Sequence, residues 1–314
     1  MQIITQLTAF PDILRNGAIS IGKFDGMHFG HSQIVERLKF QAQTRQIPAI
    51  LVTFEPHPAA VLQPDADLRP ICTLERKIEL IRQENRQRQI DAVVVITPTP
   101  EFLQQSAEIF FRETIRNLFR AQVVLSGRDF SFGRGRSGTP DTIRQFGQQA
   151  GIDVEIVEPV RVGTGAARRA ISSSWIRQLL QEGEIGQANE LMPNPYRMTG
   201  TVVSGERRGR TLGFPTANFE NVQTILPKDG VYATATWIAG KRYGSTTHIG
   251  ANVTFGVMSA RIETFVHDFS GDLYGERISI DFLSYLRGSK RFDSADALIR
   301  QMREDVLRSR TFTQ

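Results

Sequence analysis

The sequence predicts two folded modules: an α/β module on a parallel sheet, then an antiparallel β-barrel or sandwich carrying a closing helix. Three observations predict it. In the first half, short β-branched runs alternate with stretches of helical periodicity. After residue 185, strand-like runs follow one another with only turns between them. A chain of 314 residues is long enough for two cores. The best boundary lies near the Pro-Asn-Pro segment of "GQANELMPNPYRMTG", giving expected modules 1–185 and 186–314.

In order, the first module offers "AISIG" (18–22), "AILVTF" (49–54), "AVVVI" (92–96), "QVVLSG" (122–127) and "IDVEIV" (152–157) as strands. Between them, Ile34, Val35, Leu38 and Ala42 keep helical spacing, as do Ile78, Ile81 and the run around Phe110 and Phe111. Strands separated by helices make βαβ units and a sheet covered on both faces. Ligands of such sheets bind beyond the carboxyl ends of the strands. "CTLERKIELIRQENRQRQ" reads as a solvated helix. In the second module, "RMTGTVV", "GVYATATWI", "YGSTTHIG", "RIETFVHDF" and "RISIDFLSYL" read as strands joined by glycine-containing turns. Ala295, Leu298, Ile299, Met302 and Val306 give the last helix one apolar face.

Composition is ordinary for a globular chain: 40% hydrophobic and 23% charged. A lone cysteine, Cys72, excludes an internal disulfide and any multi-cysteine zinc site, so a reducing compartment, the cytoplasm, is expected. No apolar run approaches the roughly 20 residues of a membrane span, and "MQIITQLTAFPDILRNG" lacks the pattern of a signal peptide. The formal charge of +5 fits nucleic acid or small anions. Because the basic residues are spread along the chain, solubility explains that excess, and neither a nucleic-acid nor a membrane partner is expected. A monomer or weak homo-oligomer is the expected state.

"ISIGKFDGMHFGHSQIVERL" (19–38) holds two histidines three apart, at the exit of a strand and the entry of a helix. Packing, metal ligation and phosphate binding all compete for His28 and His31. Metal would need further ligands, and only His57 of "FEPHP" is on offer. Phosphate explains more residues. Gly22, Gly26 and Gly30 allow sharp turns and close approach of the backbone. The helix start aims free N–H groups and a positive dipole end at a ligand. Histidines there can donate to phosphate oxygens where charge builds up on phosphorus.

"GKFDGMHFGH" resembles the HxGH-containing turn of the nucleotidyltransferase superfamily, which covers Gly22, Phe24, Asp25, Gly26, His28, Gly30 and His31. "AISSSWIRQLL" is similar to that superfamily's Ile-Ser-Ser-Thr-x-Ile-Arg motif, with Ser174 at the usual threonine. Capping would explain one hydroxyl. Ser172, Ser173 and Ser174 with Arg177 suit a phosphate clamp. "VTFEPHPAAVLQP" and "SGRDFSFGRGRSG" resemble segments of bacterial FMN adenylyltransferase modules, and imply that His57, Asp129 and Phe130 line the flavin and nucleotide site.

"GTVVSGERRGRTLGFPTANFE" (200–220) reads as a glycine- and arginine-rich flap beside a strand. Thr216 and Asn218, two apart, project to one side if the segment is extended, and such oxygens suit Mg²⁺ held together with substrate phosphates. "RGRTLGFPTANF" resembles the ATP- and magnesium-binding segment of riboflavin kinases, which covers Gly209, Arg210, Gly213, Pro215, Thr216 and Asn218. "DGVYATA", "HIGANVTFG" and "IETFVHDFSGDLYGERISIDFLSYLR" match further strands of that family.

Taken together, nearly the whole chain resembles the bifunctional bacterial riboflavin kinase/FMN adenylyltransferase (FAD synthetase) family. The resemblance implies a Rossmann-like nucleotidyltransferase domain with a parallel sheet, followed by a six-stranded antiparallel barrel with a terminal helix. It implies phosphorylation of riboflavin to FMN by ATP with Mg²⁺, then adenylylation of FMN to FAD with release of pyrophosphate. It makes Glu263 the general base of the kinase step and His28 and His31 stabilisers of the second step. Asn252 and Val253 stand where the family has a basic residue and proline, and Phe265 where histidine is common.

Overall fold

The computed structural model describes all residues but 65, 67, 86–88, 166–167, 206–212, 255–256 and 314, and leaves out the side chains of 251–260. Contacts divide the chain into two units, Met1–Leu68 with Leu74–Ser172, and Arg69–Thr73 with Ser173–Gln314. Residues 173–185, ahead of the boundary drawn from sequence, keep company with the second unit.

The first unit holds β1 (Gln2–Ile4), β2 (Ala18–Ile21), α1 (Phe29–Arg45), β3 (Ala49–Phe54), α2 (Pro58–Leu62), α3 (Leu74–Glu84) and β4 (Ala92–Ile96). Then come α4 (Pro100–Leu103), α5 (Ala107–Phe110) continued by a π-helical stretch Phe111–Leu118, β5 (Val123–Gly127), α6 (Pro140–Ala150) and β6 (Asp153–Val157). The short pair β7 (Arg161–Val162) and β8 (Arg169–Ala170) completes it. The six main strands are all parallel, in the order β1-β4-β3-β2-β5-β6.

The five sequence-predicted strands form within a residue of their expected ends. β1 was invisible, because a three-residue edge strand has too few positions to show a period. Ile19, Ile50, Leu51, Val93, Val94 and Leu125 are wholly buried. Each contributes about 1.5–3 kcal/mol of apolar burial, which is why these runs are apolar on both faces.

The strand order places the ligand edge. From β2 the chain steps outward through β3 to β4, then returns to β5 on the other side of β2. The direction of winding reverses between β2 and β5, and a crevice opens beyond their carboxyl ends. The turn 22–30 leaves β2 there, and the loop 128–139 leaves β5 there.

One expectation is overturned. α3 is not a solvated helix: Arg76, Lys77, Leu80 and Ile81 are all buried. The long stems of Arg76 and Lys77 belong to the covered side, so charge in the sequence did not report exposure.

The second unit opens with α7 (Ser173–Glu182) and α8 (Ile185–Glu190). The strands β9 (Arg197–Val203), β10 (Thr216–Glu220), β11 (Gly230–Ile238), β12 (Lys241–Thr254), β13 (Val257–Val266) and β14 (Arg277–Arg287) follow, and α9 (Ala295–Arg310) comes last. The strands close into a six-membered barrel, β10-β13-β12-β11-β14-β9, with every pair antiparallel and β9 bonded back to β10.

Alternation sorts its side chains. One parity of β11, β12 and β13 carries Thr234, Thr236, Ser245, Thr247 and Thr264, all fully buried and bonded to one another at 2.8–2.9 Å. Buried hydroxyls are tolerated because each finds a partner in the next strand. The other parity carries Thr246, His248, Glu263 and Phe265 to a cavity that Leu298 and Met302 of α9 also line. Asp281 accepts from Arg197 at 2.5 and 2.9 Å and from Trp237 Nε1 at 2.7 Å, tying β9, β11 and β14 together. Among the described residues, no helix is long and apolar enough to cross a membrane.

Candidate active sites

In the first unit the site is built on the turn between β2 and α1. Gly22 N–H donates to the Val52 carbonyl at 3.0 Å, so the turn starts flush with the sheet edge. Phe24, Gly26 and Met27 have φ of 48°, 83° and 41°, three left-handed residues in four. For Phe24 and Met27 that conformation is strained, as happens where a turn is shaped for a ligand. A side chain at Gly30 would put its Cβ 3.1 Å from the His28 ring, so glycine is what lets that ring lie against the helix.

α1 begins at Phe29, two residues before the entry the sequence suggested near His31, and His28 is its N-cap. His28 Nδ1 accepts from the His31 N–H at 3.3 Å. A neutral His28 therefore carries its proton on Nε2, as a donor. The two imidazoles stack, with centroids 3.6 Å apart and planes 17° off parallel, and Phe24 meets His31 edge-on. The amides of Phe29 and Gly30, at the first two helical positions, have no intrahelical acceptor.

Burial pushes His28 down to about 4, against the opposing pull of Asp129. His31 is held well below the ordinary histidine range by burial, then by His28, Lys77 and Lys23. Both rings are neutral at physiological pH, so they serve as hydrogen-bonding groups rather than cations. His31 Nδ1 is buried with no hydrogen-bond partner. An orphaned polar atom at a helix start fits an incoming oxyanion.

Of the other predicted residues in this unit, Asp129 is exposed but stands within electrostatic reach of His28, and its carboxylate folds over Gly127 at the end of β5. Phe130 stacks on buried Phe132. His57 caps α2, accepting from the Ala59 N–H at 3.1 Å. Ser172 ends the first unit, while Ser173, Ser174 and Arg177 belong to α7 in the second. Ser173 and Ser174 form the first turn of that helix, and Arg177 donates to the Arg69 carbonyl at 2.5 Å.

In the second unit, register brings the predicted residues together. Thr216 pairs with Phe265 and Asn218 with Glu263, so Thr216, Asn218 and Glu263 share one face of β10 and β13. Thr216 and Glu263 open onto a cavity of about 360 Å³, closed on one side by α9. Asn218 lies across Gly205, where an added Cβ would meet its amide at 2.2–2.7 Å. Phe214 and Phe265 meet edge-on at 5.2 Å and wall the same cavity. Gly213 takes a φ of 83°, and Pro215 is exposed beside Thr216. Gly209 and Arg210, like Arg207 and Arg208, lie outside the described residues, as do the side chains of Asn252 and Val253.

Sequence reasoning missed two members of this cavity. Arg261 pairs with Glu263 at 3.0 Å, both half-buried. His248, opposite Glu263 on β12, bonds Ser289 at 3.0 Å. Arg261 was legible in principle, since residues two apart on a strand point the same way. His248 depended on strand register, which the sequence left open. Among the described residues, no three His, Cys, Asp or Glu side chains form a metal cluster. The oxygens of Thr216 and Asn218 are neutral and hard, a set that suits Mg²⁺ only where phosphates supply the other ligands.

Comparison with known proteins accounts for both halves. Residues 11–174 match the FAD synthetase family and residues 192–313 the riboflavin kinase family. The bifunctional riboflavin kinase/FMN adenylyltransferase of Listeria monocytogenes is 32% identical over 300 residues, spanning 95% of this chain and 92% of its own. That of Haemophilus influenzae is 30% identical over 99% of both chains. A crystal structure described as a macrolide-efflux protein from Streptococcus pneumoniae matches with a TM-score of 0.85 at 28% identity, covering 98% of each chain. Agreement this long, through both units, means that the chain belongs to the bifunctional riboflavin kinase/FMN adenylyltransferase family.

Proposed function

We propose that this chain makes FMN and then FAD, phosphorylating riboflavin with ATP in the barrel and adenylylating FMN with a second ATP in the α/β unit. One observation carries the reading: each unit holds its own cluster of phosphate-handling groups, His28 and His31 on one sheet edge, and Thr216, Asn218 and Glu263 on one barrel face.

In the barrel, the ribityl 5′-oxygen attacks the γ-phosphorus, the bond from that phosphorus to the β-phosphate oxygen breaks, and ADP leaves. Glu263 accepts the hydroxyl proton. Its pairing with Arg261 at 3.0 Å holds the carboxylate in place on the cavity wall, and the step depends mainly on positioning. Thr216 and Asn218 would hold Mg²⁺, which neutralises phosphate charge when bound. Phe214 and Phe265 give the cavity an apolar wall suited to the flavin ring.

In the α/β unit, an FMN phosphate oxygen attacks the α-phosphorus and pyrophosphate leaves. That nucleophile is already ionised, which suits a site whose histidines are neutral. His28 Nε2–H and the first amides of α1 donate to the phosphate oxygens as charge develops. On their motif, Ser172, Ser173, Ser174 and Arg177 are phosphate ligands, and His57, Asp129 and Phe130 flavin-site residues. The single cysteine, which leaves no internal disulfide to form, supports a reducing, cytoplasmic setting for the enzyme.

The test is direct. Riboflavin, ATP and Mg²⁺ are incubated with pure protein and the flavins separated over time, with FMN expected first and FAD after it. Absence of both products overturns the reading.

A further inference from the structure

One buried charge at the ligand edge of the first unit lacks a counter-ion in contact. Lys77, on α3, is 5% exposed. Its Nζ donates to Thr53 Oγ1 at 3.1 Å, and that hydroxyl donates onward to the Lys23 carbonyl at 3.1 Å. Thr53 is the penultimate residue of β3, and β3 pairs with β2 up to Ile21–Val52, so Nζ lies at the strand ends where the 22–30 turn departs. Among the described residues Lys77 forms no ion pair. Glu55 feels Lys77 through space and is itself raised by burial.

A buried ammonium with one neutral acceptor loses solvation that a single hydroxyl does not return. His31 Nδ1, in the field of the same ammonium, is also buried without a partner. A single ligand bearing several anionic oxygens satisfies both groups at once.

We propose that Lys77 is a phosphate ligand of the adenylyl-transfer site, holding the β- and γ-phosphates of ATP that depart as pyrophosphate. The proposal rests on the adenylyl-transfer reading above. As the FMN oxygen bonds to the α-phosphorus, the α-phosphorus–oxygen bond to the β-phosphate breaks and its electron pair passes to pyrophosphate. Lys77 neutralises that added charge and gives up no proton.

The test compares the wild-type chain with Lys77→Met, which keeps the stem and removes the charge, and Lys77→Arg, which restores a cation. FAD formation from supplied FMN gives kcat/KM for ATP, and inhibition of that reaction by pyrophosphate gives Ki. Lys77→Met is expected to lower kcat/KM about 100-fold and raise Ki at least about tenfold, with Lys77→Arg recovering most of both. Thermal unfolding of the same preparations, followed by far-UV circular dichroism, checks that the unit carrying Lys77 is folded. If the wild type makes FAD and Lys77→Met matches it in kcat/KM and Ki, the proposal is overturned. An equal loss in both variants with Ki unchanged also overturns it, by assigning Lys77 to packing. If the wild type makes no FAD, the adenylyl-transfer reading falls and takes this proposal with it. Should Lys77→Met not fold, a crystal of the wild type with pyrophosphate decides: Nζ about 3 Å from a phosphate oxygen supports the assignment, and a separation beyond about 4 Å refutes it.

Discussion

Gly205→Ala separates folding from function in the barrel. The added Cβ would lie 2.2 Å from Asn218 Nδ2, 2.4 Å from Cγ and 2.7 Å from Oδ1. Ordinary contact begins near about 3.5 Å, so the amide must move by more than about 1 Å. Asn218 can do so by turning about its own side-chain torsions, and the stability cost is about 1 kcal/mol, at the low end for overpacking. The functional cost is larger, because the amide leaves the face it shares with Thr216 and Glu263. Misplacing a positioning group by 1 Å costs on the order of 100-fold, or about 2.7 kcal/mol of transition-state stabilisation. FMN formation from riboflavin should therefore fall about 100-fold in kcat/KM, with the melting temperature nearly unchanged and FAD formation from supplied FMN intact. A variant that phosphorylates riboflavin within about threefold of wild type would show that the orientation of Asn218 does not matter, and would refute the assignment.

Other perturbations test the rest. Glu263→Gln should stop the chain at riboflavin yet leave FMN-to-FAD conversion running, while His28→Ala should do the reverse; either variant losing both activities while folded contradicts the division of labour. His28 and His267 both stand at about 4 when folded, against an ordinary 6.5, chiefly because they are buried. Their neutral forms stabilise the fold fully above pH about 6.5, and that stability is lost as pH falls toward 4, because the unfolded chain takes up the protons first. Each should cost about 2 kcal/mol by pH 5, read from urea unfolding at pH 7 and 5, and His267→Gln should remove its share of the slope. Asp281→Ala takes the shared acceptor from Arg197 and Trp237 inside the barrel and should lower stability by about 3 kcal/mol in the same assay.

The sequence by itself determined whatever is local. Strands such as 49–54 and 92–96 form where their β-branched runs predict, because burial on both faces demands an unbroken apolar run. The glycine turn and its two histidines were legible for the same reason: a helix cap, a left-handed glycine and a ring stacked three residues on are all set within one turn of chain. The motif "PTAN" was legible as spacing, since alternation alone puts Thr216 and Asn218 on one side. Tertiary structure decided what depends on distant partners. That Asn218 faces Glu263, and Glu263 faces His248, is a matter of barrel register, which many pairings of these polar strands would satisfy equally. That Gly205 must lack a side chain follows only from where Asn218 comes to rest. Lys77 is the sharpest case. In sequence it is one charge among many in a helix, and only the packing of α3 against the end of β3 takes it out of water and leaves it waiting for an anion. Burial is a property of the assembled fold, and a side chain's charge carries no record of it.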